Sequence, residues 1–283
     1  MTKVNKSLSL SILSVLPPPF SSLLIPPTAT ALTPVQYLGP ASTYGVLANT
    51  PNIPNTGPTT ISRTAGNNVG IWTAASFVGA GSVTMTGGTQ NLGNTPAQTA
   101  QADLTTAMVT LNGLSANQPD PGVELGGQTL PAGVYSRGTF GITTTLTLNG
   151  GGDPNAIFIF KAASTLITAD GGASKVLLTN QAQACNVYWV VNSAATLGTN
   201  SIFVGHVLSA AAVTAKTGAN IQGQLMSRDA AVTMDTNVIT NNNCAPVTRT
   251  VTYNGNTSTS GTVPVDSLSP YVTGSSVTVL GNS

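Results

Sequence analysis

Four segments of this 283-residue chain repeat a pair of threonines three residues apart: Thr165–Thr168, Thr196–Thr199, Thr214–Thr217 and Thr233–Thr236. The last three start 18 and 19 residues apart. Short strands returning at such a spacing predict a coil of stacked rungs. Stacking places equivalent residues about 4.8 Å apart, the separation of neighbouring strands. The chemistry offered is a flat, regular array of methyls and hydroxyls, which suits an ordered lattice better than a flexible ligand.

Strand alternation assigns the faces. Leu197, Val213, Ala215, Val232 and Met234 are apolar and point inward. Thr196, Thr214 and Thr233 then point outward. In the first copy Leu166 points inward, which sends Thr165 and Ile167 outward. One outward column is therefore read as Thr165, Thr196, Thr214 and Thr233, beside a mixed column of Ile167, Gly198, Lys216 and Asp235. Thr168, Thr199, Thr217 and Thr236 fall at the corner. The plainer reading is that threonine simply suits exposed strands and pairs well across them.

Other chemistry is thinly represented. The single histidine, His206, sits among apolar strand residues, as a packed side chain would. The eight carboxylates form no close sequence pair suited to glycoside hydrolysis. A Gly-rich run at 150–152 is followed by neither a lysine nor a helix start, so it reads as a turn rather than a phosphate loop. Two cysteines and one histidine supply no closed zinc site without carboxylates. No catalytic residue, metal or cofactor is expected.

The elements that must carry the threonines follow from pattern. Brief strand signals occur at 82–86, 133–135, 145–148, 156–160, 175–178 and 186–191. Their shortness favours a coil with corners over a sandwich. One helix interrupts them: Thr95 is the expected N-cap, Pro96 the first helical residue, and Gln98 completes a capping box. Ala97, Ala100, Leu104, Ala107, Met108, Leu111 and Leu114 make its apolar face. Gln101, Thr105, Thr106 and Asn112 lie opposite, and Gly113 ends it. Residues 32–60 are rich in Pro, Thr and Asn and read as irregular chain wrapping one end of the coil.

Composition narrows the partners. Charged residues are 6% and the formal net charge is +1, against about 25% charged residues in an ordinary soluble domain. Without a basic stripe, nucleic acid is excluded, and so is an anionic membrane surface. Residues 1–31 read as a secretory signal: Lys3 and Lys6, an apolar run broken by Pro17 to Pro19, then Ala29-Thr30-Ala31 as a cleavage site. A membrane anchor is the alternative, disfavoured by those prolines. Export makes a Cys185–Cys244 disulfide the expected state, closing a loop of about 60 residues; two buried thiols are the alternative. After Cys244 the composition shifts to a Thr, Ser, Gly and Val-rich tail. The divisions are thus 1–31, a main domain 32–246, and a tail 247–283.

Several stretches carry a specific resemblance: Tyr44–Thr50, Ala102–Ala107, Leu130–Tyr135, Gly152–Phe160, Gln183–Trp189 and Ala195–Thr199. Over roughly 41–244 the chain resembles the microbial ice-binding proteins with a discontinuous β-solenoid. The resemblance implies a mainly β fold, a right-handed solenoid of triangular section with one long α-helix alongside. It also implies adsorption to ice through the flat face bearing a Thr-Ala/Gly-x-Thr/Asn pattern, which Thr214-Ala-Lys-Thr217 matches directly. The other copies match at the threonines alone. One departure is Ile61-Ser-Arg63, where the family usually places a Gly-Asp pair after Ile-Ser. Lys216 and Asp235 sit on neighbouring rungs of that face and could pair. Their charge lowers the activity expected of this face, or displaces ice binding to another side of the coil. The tail, at 251–256, 260–266 and 274–281, resembles the start of an internalin-type B repeat; a disordered Ser/Thr linker is the alternative. The combined reading is a secreted or surface-exposed monomer that binds ice through Thr165, Thr168, Thr196, Thr199, Thr214, Thr217, Thr233 and Thr236. A surface adhesin or polysaccharide-binding solenoid is the alternative, and a polysaccharide lyase a third. Scarce aromatics count against the adhesin, and scarce charge against the lyase.

Overall fold

The structure, a computed structural model, describes residues 37–62, 67–240, 244, 248–253, 262 and 264–272. The expected signal segment, residues 63–66 of the departure at Ile61-Ser-Arg63, and most of the 247–283 tail lie outside these residues. The fold is mainly β with one long helix. Every recorded pairing is parallel except that of Thr248–Arg249 with Tyr271–Val272. Parallel neighbours need a long return path between them. Here other strands supply it, so registered residues such as Thr145 and Lys175, or Phe203 and Ile221, are well separated along the chain.

Seven strands form one sheet: β1 (Ile53–Thr56), β2 (Phe77–Val78), β3 (Phe140–Ile142), β4 (Leu166–Thr168), β5 (Ala195–Leu197), β6 (Val213–Ala215) and β7 (Val232–Asp235). Their spatial order is β3-β4-β5-β6-β7-β1-β2. The second sheet has fourteen strands. One group, including Tyr44–Ala48, Gly133–Arg137, Phe158–Ala162 and Val187–Val191, backs onto the helix. Another, including Thr59–Ser62, Val83–Thr86, Thr145–Asn149, Lys175–Thr179 and Val238–Thr240, leaves its outer side open. The eight-residue strands Ile202–Ser209 and Asn220–Ser227 belong to both groups. They cross between them at Gly205 and Gly223, which are registered with each other. Gly205 has φ +115°, and a Cβ on Gly223 would meet the Gly205 carbonyl oxygen at 1.9 Å. Any side chain there would push the two strands apart.

The strand at Tyr44–Ala48 pairs with Asn220–Ser227 on one side and Asn68–Ile71 on the other, and β1 pairs with β7 and β2. This corrects the expectation that 32–60 wraps one end as irregular chain. The polar composition misled because residues such as Asn55 are buried and bonded internally: its Nδ2 donates to the Gly57 carbonyl at 3.0 Å.

Inside the sheets lies an apolar core that includes Ile61, Leu146, Phe158, Leu166, Val213 and Met234, each 0% exposed. Tyr135, Phe160 and Trp189 are registered on three adjacent strands and stack, with centroids 5.0 and 4.2 Å apart. The helix, α1 (Thr95–Gly113), closes a second cluster against the outer side of the first strand group. Leu104, Met108 and Leu111 meet Leu47, Ile159, Tyr188 and Leu208 there. Its N-cap is Asn94, not Thr95: the Asn94 side chain accepts from the Ala97 N–H at 3.2 Å, and Thr95 is already helical. Asparagine and threonine both cap well, and here the residue one earlier has the extended backbone. Gln101 also departs from expectation. It is buried, with Nε2 donating to the Ser227 carbonyl at 3.0 Å. The nineteen helical residues advance about 28 Å, comparable to six strand spacings. That length carries the chain from Gln90–Leu92, at one end of the strand order, back towards Thr129–Pro131 at the other.

Candidate functional site

The seven-stranded sheet carries four of the eight threonines, Thr168, Thr196, Thr214 and Thr233. Leu197, Val213, Ala215, Val232 and Met234 are fully buried, so the residues between them face out. Ile167, Thr196, Thr214 and Thr233 are registered in one column across β4 to β7, beginning at Gly141 on β3. Two residues earlier runs a column of small side chains. Phe140 donates its N–H to the Thr165 carbonyl, Leu166 to Ala194, Ala195 to Ala212, and Val213 to Ala231. Ala194, Ala212 and Ala231 therefore flank the threonines with single methyls, which keeps the face flat. The signal for them was present as a run of two or three alanines before each of the last three copies, at 194–195, 210–212 and 230–231.

Thr165 consequently does not stand in the Thr196 column. It is level with Ala194, and its hydroxyl lies 3.3 Å from that of Thr139. Leu166 is registered with Ala195 rather than with Leu197, a slip of two residues from the alignment of the Thr pairs. Such a slip keeps every side chain on its face but changes its neighbours. Thr168 is different again: it is 3% exposed, and its hydroxyl accepts the buried Gly198 N–H at 2.7 Å. Gly198 packs so tightly that a Cβ would meet the Ala169 carbonyl oxygen at 2.2 Å.

The corner threonines are tied into turns. The Thr199 N–H donates to Asp170 Oδ1 at 2.7 Å. Thr217 and Thr236 both donate their hydroxyls to the Asp235 carboxylate. Lys216 does not pair with Asp235, as its position on the neighbouring rung suggested. Its Nζ donates instead to Asp170 Oδ2 at 2.9 Å. The Asp235 oxygens are already occupied by the two hydroxyls, while Asp170 offers a second carboxylate on the same rim. The Thr199 backbone N–H, then Lys216, hold the Asp170 carboxyl below the usual carboxylate range. These charges gather where the sheet turns the corner, leaving the column of Thr196, Thr214 and Thr233 uncharged.

His206 is 2% exposed, packs its ring 5.3 Å from Tyr188, and places Nε2 3.2 Å from the Cys185 carbonyl. Cys185 and Cys244 form a disulfide. Among the described residues, no three His, Cys, Asp or Glu side chains converge as metal ligands, and no helix is long and apolar enough to cross a membrane.

A parallel β stack with a flanking helix and a flat threonine sheet defines a class, and comparison agrees with it: the family described as Ice-binding-like matches residues 46–240. The chain belongs to that family. It is 37% identical over 243 residues to an ice-binding protein of Nostoc sp. (strain HG1), covering 85% of each chain. Among solved structures, it is similar to an ice-binding protein of the Antarctic ascomycete Antarctomyces psychrotrophicus. The TM-score is 0.66 at 37% identity, over 72% of this chain and 96% of that one. A further likeness is to an ice-binding protein from an Antarctic biological consortium, with TM-score 0.67 and 34% identity over 77% and 95%.

Proposed function

We propose that this protein adsorbs to ice through the outer face of the seven-stranded sheet and so restrains crystal growth and recrystallisation. The observation that carries the reading is the registered, uncharged column of Thr196, Thr214 and Thr233 beside the alanine column, in a chain of this family. Methyls at a fixed spacing of about 4.8 Å order the water around them, and hydroxyls anchor it. A hydrogen-bonded sheet is already ordered, so adsorption costs little conformational entropy. Thr199, Thr217 and Thr236 form the rim of the face and Thr165 its far flank, while Thr168 serves from inside. We read the stack as a discontinuous right-handed β-solenoid of triangular section. We read the protein as a non-enzymatic, cofactor-free monomer, exported after removal of residues 1–31.

Adsorbed molecules pin the ice front between them, which forces growth through curved, less stable ice. The test is the shape and growth rate of single ice crystals in a dilute solution of the purified protein. Faceted crystals held within a hysteresis gap are expected. Round, freely growing crystals would remove the proposal.

A further inference from the structure

Three adjacent strands of the helix-backed group end together. Leu47 is registered with Met226 and Ala48 with Ile71. Arg228, Asn49 and Trp72 therefore leave the sheet side by side, about 10 Å from first to last at two strand spacings. Gln98 and Gln101 of α1 lie across from them, and with Asp229 these residues line a cavity of about 440 Å³. The cavity shares no residue with the threonine sheet. Its row of strand exits is already held in place. The Trp72 N–H donates to the Ala48 carbonyl and the Asn49 N–H to the Ala230 carbonyl, both at 3.1 Å. Thr73, the next residue, has φ +66°, which a β-branched residue adopts only where its surroundings impose it. Its hydroxyl donates to Asn49 Oδ1 at 2.7 Å. Gln101 is 5% exposed; its Nε2 holds the Ser227 carbonyl, and its Oε1 has no partner among the described residues.

We infer that this recess binds a neutral hexopyranose sugar, free or as one unit of a glycan. The inference does not depend on ice adsorption. Trp72 is partly exposed and lines the cavity. An indole offers a flat apolar surface, which suits the C–H face of a pyranose ring. The rest of the lining offers donors and acceptors side by side, in the amides of Asn49 and Gln98 and in the Arg228–Asp229 pair. A sugar hydroxyl donates and accepts at once, so it is matched by such groups. A few fixed polar groups beside an apolar surface are the usual make-up of a small-molecule site. The charges select against other ligands. Arg228 Nε donates to Asp229 Oδ1 at 2.9 Å and Nη2 to Oδ2 at 2.5 Å, which makes the pair neutral as a unit. A phosphate or carboxylate would have to displace Asp229, and an apolar helix or lipid tail would bury the amides without partners. Scarce aromatics are no obstacle here, because one ring serves one sugar unit.

Tryptophan fluorescence reads the site directly. The second tryptophan, Trp189, is 1% exposed and its indole N–H donates to the Val204 carbonyl at 3.0 Å, so a change on adding sugar reports Trp72. The purified protein is titrated with maltohexaose, cellohexaose, mannohexaose and glucose, and with polygalacturonate as the acidic probe. A saturable change with at least one neutral sugar is expected. Tighter binding of a hexasaccharide than of glucose assigns the recess to a glycan unit, and equal binding assigns it to free sugar. Calorimetry then compares variants. Trp72→Ala is expected to weaken binding about tenfold or more. Should that change lower the melting temperature, Gln98→Ala, at an exposed helical position, is expected to weaken binding about threefold without doing so. No saturable change with any neutral sugar at millimolar concentration would overturn the inference. So would binding confined to polygalacturonate, or parent affinity in both variants.

Discussion

Replacing Thr168 by valine separates a structural threonine from an adsorbing one. The substitution keeps shape and volume and removes one acceptor. Thr168 is 3% exposed and its hydroxyl takes the Gly198 N–H at 2.7 Å. In Thr168→Val that N–H stays buried without a partner. An unsatisfied buried donor costs about 1–3 kcal/mol. Gly198 has little room to move, because it already lies against the Ala169 carbonyl. A value near the middle, about 2 kcal/mol, lowers the melting temperature of a domain this size by about 4–8 °C. Thr196→Val is the control: Thr196 faces outward and partly exposed on β5, so the same chemical change stays within about 0.5 kcal/mol. Melting is followed by circular dichroism, and hysteresis is measured at temperatures where both variants are folded. Thr168→Val is expected to melt early and keep its ice activity. An unchanged melting temperature together with reduced hysteresis would place the Thr168 side chain on the surface and refute the register of β4 against β5.

Reducing the Cys185–Cys244 bridge, or changing both cysteines to serine, opens a link between residues 59 apart; in the chain-entropy account this costs about 4 kcal/mol, readable as a lower urea midpoint. Asn94→Ala removes the acceptor for the Ala97 N–H and is expected to cost about 1 kcal/mol, whereas Thr95→Ala should cost less; the reverse order in chemical denaturation would restore Thr95 as the cap. Leu104→Ala empties a fully buried site between α1 and the strands. A loss of about 2–5 kcal/mol is expected, and a loss under about 1 would mean the helix is loosely docked. The Asp170 carboxyl is lowered in the folded state. Its stabilising contacts are therefore complete above the unfolded value of about 3.9 and fade as pH falls through the lower folded one. An NMR titration that puts Asp170 at or above that value would contradict the contacts with Thr199 and Lys216.

Much of this architecture is legible in the chain because each strand obeys simple alternation. The runs at 83–86, 145–149, 175–179 and 187–191 lie within a residue or two of the expected ones. The helix and its buried stripe follow from 3.6-residue spacing and from Gly113 at its end. What alternation leaves open is which strand lies beside which. Thr165 and Ile167 share a face, so the pattern permits either beside Thr196. The choice falls to Leu166 against Ala195 and to the bond from Gly198 to Thr168. The destination of a charged side chain is likewise decided by geometry: Asp170 and Asp235 both lie near Lys216 along the rim, and the hydroxyls of Thr217 and Thr236 occupy Asp235 first. The strands within 44–62 escaped because their neighbours lie about 180 residues away, as Val46 beside Leu225 and Thr60 beside Val238.

That last pairing has a mechanical consequence. An ordinary stack of parallel strands can fray from whichever end holds a chain terminus. Here the outermost strands of one group, Val83–Thr86 and Thr129–Pro131, lie mid-sequence, with α1 on the chain between them, while the stretches near 44 and near 240 meet inside the stack. Peeling from either stretch means breaking a strand away from neighbours on both sides at once. The seam should therefore open together with the whole body rather than before it. By the same geometry a circular permutant is expected to fold: new ends cut at 119–122, ahead of the Val123–Leu125 stretch that bonds Gly141 on β3, with a short linker joining the seam, leave every strand its partners.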